Sequence, residues 1–171
     1  ILFFVPAFAD ENTEEVIESV TIIGSAEDQR KLAGSGQIIS NEDLSKAMDT
    51  DIQKILTAVP GVYMRTEEGY GLRPNISIRG TAIERSAKVA VMEDGVLVAP
   101  SPYTSSSAYY FPTTGRIHSV EVLKGPAAVS QGPQTIGGAI NLISTPIPST
   151  TSGKFVQELG ENGMMRTHAY F

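Results

Sequence analysis

The side chains that could carry out chemistry are few, and their types exclude most catalytic and metal sites. The chain has no Cys, so it has no disulfide, no thiolate metal site and no Cys nucleophile. Its only imidazoles are His118 and His168, too few for a histidine metal cluster or a Ser-His-Asp arrangement. His118 lies in a segment of alternating polarity, where a lone His is usually packed or solvated. We predict no catalytic residue and no metal site.

Carboxylates and glycines give no enzymatic pattern either. Neighbouring carboxylates occur only in the acidic start of the chain and in turns such as Glu93-Asp94. Neither place removes a carboxyl group from water, as acid-base catalysis requires. The glycines between Gly125 and Gly138 lack the Gly-Lys-Ser/Thr of a phosphate-binding loop. The sequence therefore predicts a protein that is not an enzyme and holds no cofactor.

Composition places these side chains in one ordinary folded domain. The chain has 171 residues, of which 41% are apolar, and a formal net charge of −6. This length and apolar content suffice for a single hydrophobic core. A net negative chain repels phosphate backbones, so nucleic acid is not an expected partner.

The first residues resemble the end of an export signal. Residues 1–9 are apolar and finish in Ala7-Phe8-Ala9, after which the chain becomes acidic. A small-x-small cleavage site after a short apolar run is typical of a secretory signal peptide. We expect residues 1–9 to be the remnant of such a signal. The alternative is a buried strand that opens the chain.

Residues 10–37 are predicted to form a flexible, acidic extension. Within it, Ser19–Ile23 is a short segment that favours a strand, and Gly24-Ser25 ends it. One possibility is that its free edge accepts a strand from another chain. The other is that it pairs within the domain, and the pattern alone does not decide between them.

Residues 38–148 have the pattern of an α+β domain. Ser40 and Asp43 are spaced as a helix-capping box. Residues 52–59 place apolar side chains on one helix face, and Pro60-Gly61 ends that helix. Short apolar or alternating segments then predict strands, one pair of them joined by a turn at Glu93-Asp94-Gly95. The predicted strands are at 37–39, 76–79, 88–92, 96–98, 117–123 and 139–144.

Residues 149–171 are predicted to form two strands around a turn at Asn162-Gly163. In the second strand Met165, Thr167, Ala169 and Phe171 share one side, and the polar residues share the other. A strand of a membrane barrel alternates in this way, as does any exposed sheet.

Five segments of the chain occur in an order that is more specific than any one of them. The first is the helix ending in Pro-Gly-Val, and the last is the strand beginning Gly-Gly-x-Ile-Asn. In order they are Asp51–Val62, Ile76–Gly80, Val91–Val96, Ile117–Ala128 and Gly137–Asn141.

This series resembles the plug domain of TonB-dependent outer-membrane receptors. The resemblance covers about residues 38–144 and implies a small mixed sheet with short helices, here followed by the first strands of a truncated transmembrane β-barrel. In the family, plug arginines pair with glutamates of the barrel wall, which implies this role for Arg79 and Lys124. Lys124 stands where the family usually has Arg, and it offers a point charge rather than a planar fork.

The resemblance also implies partners and a location. It implies a plug within its own β-barrel in the outer membrane of a Gram-negative cell, with the N-terminus in the periplasm. Energy coupling would come from the partner TonB, which would add the chain's strand-forming segment to a sheet edge. The acidic extension suits a basic partner. The implied TonB box consists of Glu18, Ser19, Val20, Thr21, Ile22 and Ile23.

Within the family, Gly71–Asn75 and the loop containing Tyr103 resemble the ferric citrate receptor group. This implies uptake of an iron chelate, either a siderophore or iron citrate, that loops 81–87 and 99–115 contact. Basic and hydroxyl side chains could hold an anionic chelate by charge-assisted hydrogen bonds. The alternative function is a free-standing periplasmic ligand-binding module. The predicted ligand-binding residues are Arg85, Lys88, Tyr103, Tyr109 and Tyr110.

Overall fold

The structure, a computed structural model, describes residues 21–47, 52–65, 74–98 and 111–171. It divides the chain into two units, and the larger one, Ser19–Thr145, contains the main sheet. The helices are α1 (Ala26–Gln29), α2 (Asn41–Ala47) and α3 (Ile52–Thr57). The strands are β1 (Ser35–Ile39), β2 (Val62–Arg65), β3 (Asn75–Ile78), β4 (Val89–Glu93), β5 (Val96–Leu97), β6 (Ile117–Lys124), β7 (Gly138–Ser144), β8 (Lys154–Leu159) and β9 (Met165–Tyr170).

A five-stranded mixed sheet in the order β1-β6-β7-β4-β5 is the centre of the larger unit. β4 and β7 run parallel, whereas β1, β6 and β7 pair antiparallel, as do β4 and β5. The turn at Glu93-Asp94-Gly95 joins β4 to β5 as predicted, with Asp94 and Gly95 at positive φ. A separate two-stranded sheet pairs β2 with β3.

One side of the five-stranded sheet, which we call the core face, is apolar at its centre in the three strands β4, β6 and β7. Side chains alternate between the faces of a strand, so each central strand gives this face every second residue. α3 and the β2–β3 sheet supply apolar side chains to the same cluster, among them Leu56 and Ile76. The residues of the core face are Val89, Val91, Val120, Val122, Ile140 and Leu142.

The opposite side, which we call the cover face, combines apolar and polar side chains. Residues 22–34, the cover segment, approach this face before β1 begins, and Ile23 and Leu32 join its apolar cluster. Ala128, from the 3-10 helix that follows β6, joins the same cluster. The residues of the cover face are Ala90, Met92, Glu121, Leu123, Ala139 and Asn141.

The capping box predicted before α2 is confirmed. Ser40 Oγ accepts a hydrogen bond from the backbone N–H of Asp43, and Asp43 Oδ2 accepts one from the backbone N–H of Ser40. These contacts satisfy donors that the first turn of a helix leaves without partners. The similar Thr50–Gln53 spacing lies partly outside the described residues.

Two expectations about the larger unit differ from its described residues. β3 is predicted to be half-buried, but all four of its residues are buried, and on the face opposite the main core Ser77 Oγ donates to the carbonyl of Thr81. Residues 10–37 are predicted to form a flexible extension, of which the structure describes residues 21–37; there β1 already begins at Ser35, and Ile23 is only 3% exposed. In the described part, the chain therefore packs on the five-stranded sheet well before residue 38.

The smaller unit contains the hairpin of β8 and β9, and both strands predicted for residues 149–171 are present. The turn between them places Asn162 and Gly163 at positive φ. Phe155 pairs with Ala169, and Leu159 with Met165, so apolar side chains share one exposed face of the hairpin. Arg166 and Glu158 form an ion pair on the other face.

None of the helices in the described ranges is long and apolar enough to cross a lipid bilayer.

Candidate functional site

The predicted TonB box is described only at Thr21, Ile22 and Ile23, and Glu18–Val20 lie outside the described residues. The predicted strand is not observed at these three positions, where the backbone bends. The reason is local, because the N–H groups of Ile22 and Ile23 donate to the carboxylate of Glu121 instead of to a neighbouring strand. In this structure Thr21–Ile23 docks on the domain without pairing as a strand, and the assignment of the TonB box stays a prediction.

The Glu121 carboxylate is the centre of this docking site. It lies on β6, is 2% exposed, and accepts backbone N–H groups from Ile22 at 2.7 Å, Ile23 at 2.9 Å and Gly24 at 3.2 Å. The side-chain amide of Asn141 on β7 donates to it at 3.0 Å. A carboxylate withdrawn from water is costly unless donors replace its hydration, and these four donors do so.

A second polar site, at the end of β6, contains two neighbouring cations, Lys124 and Arg79. Lys124 is 6% exposed, and its Nζ donates to the backbone carbonyl of Pro60 at 3.0 Å. Arg79 follows β3 with a φ of 54°, and its guanidinium extends over Gly125. A Cβ on Gly125 would lie 2.8 Å from Nη1 of Arg79, and the φ of 79° at Gly125 favours glycine there.

The electrostatics of this pair favour an anionic partner. Burial lowers the pKa of Lys124, and the neighbouring charge of Arg79 lowers that pKa further. Among the residues that the structure describes, neither cation forms an ion pair with an acidic side chain. The two positive charges therefore form a site that a carboxylate could neutralise.

One predicted ligand-binding residue, Lys88, lies at the same end of the sheet. Lys124 pairs with Gly138, and Gly138 with Val89, so these three residues form one row across the strands. Lys88 is exposed immediately before this row, and its carbonyl accepts the N–H of Gly137 at 2.7 Å. The Arg85 side chain and Tyr103, Tyr109 and Tyr110 lie outside what the structure describes.

Sequence reasoning missed Glu121 and Asn141 as a functional pair. Each residue gave a signal in the sequence. Glu121 is a charged residue two positions before the apolar Leu123, on the same side of its strand, and Asn141 is an amide within an apolar strand. That signal could not identify the donors, because Ile22 is 99 residues from Glu121 in the chain. In the described ranges, no three His, Asp or Glu side chains are grouped as metal ligands.

A small mixed sheet with short helices, a docked N-terminal segment and a cationic end defines an α+β plug-like domain. Residues 28–139 match the family described as the TonB-dependent Receptor Plug Domain, and the chain belongs to this family. The predicted plug fold is therefore confirmed. The family consists of receptor domains and not of enzymes, as the sequence analysis predicted.

Known relatives agree with this assignment. The chain is 29% identical over 176 residues to the probable TonB-dependent siderophore receptor PirA of Acinetobacter baumannii, covering 86% of this chain and 22% of that receptor. It is 26% identical over 155 residues to the vitamin B12 transporter BtuB of Photobacterium profundum, covering 91% of this chain and 25% of the transporter.

The fold agrees with a solved structure as well. The crystal structure of the ferric citrate transporter FecA in the unliganded form superposes with a TM-score of 0.66 at 24% identity. The superposition covers 90% of this chain and 28% of the transporter chain. The chain thus spans about a quarter of the length of the proteins that it matches.

Proposed function

We propose that this chain is the plug region of a TonB-dependent outer-membrane receptor that takes up a ferric chelate by energy-coupled transport. The observation that carries the proposal is the match to the plug family over residues 28–139, on a structure with the corresponding mixed sheet. Siderophore and ferric citrate receptors among the similar proteins favour an iron chelate as the ligand. The plug would lie inside the barrel with its N-terminus in the periplasm.

In this proposal the cationic end of the sheet meets the barrel. Arg79 and Lys124 would face glutamates of the barrel wall, which would supply the negative charge that the described residues do not. The hairpin of β8 and β9 would be the start of that barrel, with the exposed side chains of Phe155, Leu159 and Met165 facing lipid.

Ligand binding would use loops 81–87 and 99–115. Lys88, which follows the first of these loops, is exposed. With Arg85, Tyr103, Tyr109 and Tyr110 it would offer positive charge and hydroxyl donors to the organic shell of a chelate. Coupling would use the TonB box at Glu18–Ile23, from which TonB would draw a strand.

Uptake by the full-length protein tests the proposal. Cells producing it are given a panel of radiolabelled ferric carboxylate and catecholate chelates, and binding and uptake are measured separately. We expect one of the chelates to be bound and taken up. Val20→Pro should abolish uptake and leave binding intact, because proline removes a backbone donor from the strand that TonB would pair with.

Glu14→Gln in the same acidic extension is the matched control and should transport normally. Uptake that continues in the Val20→Pro protein would reject the TonB-box assignment. A protein that binds only an uncharged, iron-free molecule would reject the ferric ligand and leave the plug assignment in place.

A further inference from the structure

Glu121 occupies an unusual place for a carboxylate, because it is buried in the cover face among mostly apolar side chains. Its strand neighbours on the cover face are Leu123 and, across β7 and β4, Ala139 and Met92, all of them buried. The polar companion within this face is Asn141, directly opposite it on β7 and 0% exposed. A charge in such surroundings depends on donors brought to it by other parts of the chain.

The cover segment brings three of those donors, and they are consecutive. Oε2 accepts from the N–H of Ile22 and from the Asn141 amide, while Oε1 accepts from the N–H groups of Ile23 and Gly24. Each oxygen therefore accepts two hydrogen bonds. A carboxylate can do this on both oxygens, whereas a carboxamide has only one acceptor oxygen.

An apolar contact fixes the same segment to the same place. The Ile23 side chain is 3% exposed and lies against Gly36 of β1, where a Cβ would be 3.0 Å from Ile23 Cδ1 and 2.5 Å from Leu32 Cδ1. The glycine thus leaves the space that Ile23 occupies. The segment is held by one side chain in an apolar site and by three backbone donors on one carboxylate.

The turn between β4 and β5 sets the orientation of the Asn141 amide. Its Oδ1 accepts the backbone N–H of Gly95 at 2.9 Å, so its Nδ2 points toward Glu121. Asp94, in the same turn, accepts the backbone N–H of Ser144 at 2.9 Å. A continuous series of hydrogen bonds thus runs from the cover segment through Glu121 and Asn141 to the turn between β4 and β5.

We propose that Glu121 is the positioning residue that holds the N-terminal coupling segment on the plug, by occupying the same N–H groups that a partner strand would need. The idea rests on the proposed function for the identity of the partner, whose recognising feature would be an exposed sheet edge. A strand pairs along one edge through the N–H groups of alternate residues, so pairing at residues 22–24 would need at least one N–H that Glu121 already engages. Removal of the segment also deprives the carboxylate of three donors together, so release is concerted.

Hydrogen exchange of the full-length protein, read by mass spectrometry on peptides covering 21–25 and 138–144, tests this. Glu121→Gln keeps the side-chain shape but turns one of the two oxygens into a donor. In either orientation of the new side chain, its NH₂ group replaces one carboxylate oxygen and faces the two donors whose hydrogen bonds this oxygen now accepts. We expect exchange at residues 22–24 to become about tenfold faster or more, while the β7 peptide keeps its protection.

Glu27→Gln is the matched control, because it makes the same chemical change at an exposed residue of α1. Its exchange should equal that of the unaltered protein. Equal exchange at residues 22–24 in the Glu121→Gln and unaltered proteins would overturn the proposal.

A second variant decides the case if Glu121→Gln loosens the whole sheet and both peptides exchange faster. Ile22→Pro removes one donor from the segment and leaves the sheet untouched. Faster exchange at Ile23 and Gly24 with a protected β7 peptide would support the proposal, and unchanged exchange would overturn it. These measurements need neither chelate nor TonB, so their failure is distinguishable from a failure of the uptake experiment.

Discussion

The two faces of the five-stranded sheet are closed by different physical means. The core face is covered by α3 and the β2–β3 sheet, and its central residues are all apolar. The cover face receives a segment that is fastened at Ile23 and on the polar pair Glu121 and Asn141. Apolar side chains that become exposed to water lose the free energy of their burial. Backbone N–H groups that leave a carboxylate form hydrogen bonds with water instead, so their release costs less. We therefore expect the core face to open only when the domain unfolds and the cover face to open by itself.

The largest effect should follow from damage to the core face. Leu142 is 0% exposed and lies in the main apolar cluster. Leu142→Ala should lower the free energy of unfolding of the plug by about 2–5 kcal/mol, through lost burial and the cavity that remains. Exchange measured in increasing denaturant on the full-length protein should show all plug strands losing protection together.

Ile136→Ala is the control for this change, because Ile136 is 75% exposed and its truncation removes little burial. If Leu142→Ala loosened the cover segment and left the strands protected, the two faces would not differ in the way proposed here.

Features set by neighbouring residues could be predicted from the sequence. The box of Ser40 and Asp43, the turn at Asp94-Gly95 and the turn at Asn162-Gly163 each depend on residues within a few positions of one another. Alternation likewise indicated β6, and a short apolar run indicated β7. Each of these rests on local backbone geometry and on side-chain periodicity.

Features set by distant residues could not be predicted in the same way. Glu121 receives three of its four donors from 97 to 99 residues earlier in the chain, and Lys124 contacts Pro60 across 64 residues. A single sequence shows that a charge stands in an apolar strand, but not what compensates it. The same limit explains β3, whose alternation of Ile and Ser suggested one solvated face although Ser77 is 3% exposed.

A smaller and more local effect should follow from truncation of the apolar anchor. Ile23→Ala removes most of the side chain that fills the space over Gly36. Because we expect the segment to leave the sheet without unfolding of the domain, the loss in stability should not exceed the free energy with which it docks. We expect faster exchange over residues 22–34 and faster tryptic cleavage after Arg30 and Lys31, with little change in the unfolding midpoint.

Val129→Ala tests the specificity of that result, because Val129 is 69% exposed in the 3-10 helix after β6. It should leave cleavage at Arg30 and Lys31 unaltered. A drop in the midpoint of Ile23→Ala as large as that of Leu142→Ala would mean that the segment unfolds only with the core.

The smallest effect should appear in acid, where two similar capping boxes allow a direct comparison of the faces. Ser25 and Asp28 cap α1 in the cover segment, and Ser40 and Asp43 cap α2, whose Leu44 packs against the main core. The Ser25 hydroxyl is the main cause of a lowered pKa at Asp28, and the Ser40 hydroxyl is the main cause at Asp43. Both carboxylates therefore bind protons less readily in the folded than in the unfolded chain.

The sign of the pH effect follows from this difference. A carboxylate whose folded pKa is lowered stabilises its helix above the unfolded value of about 3.9 and loses that contribution as the pH falls through the folded pKa. Exchange corrected for the intrinsic rate should therefore rise over residues 22–34 below pH ~4, and Asp28→Asn should remove part of that dependence. Asp43→Asn should instead affect only the α2 amides. A matching response of the cover segment to Asp43→Asn would show that the two faces are coupled, because the altered box lies on the opposite side of the sheet.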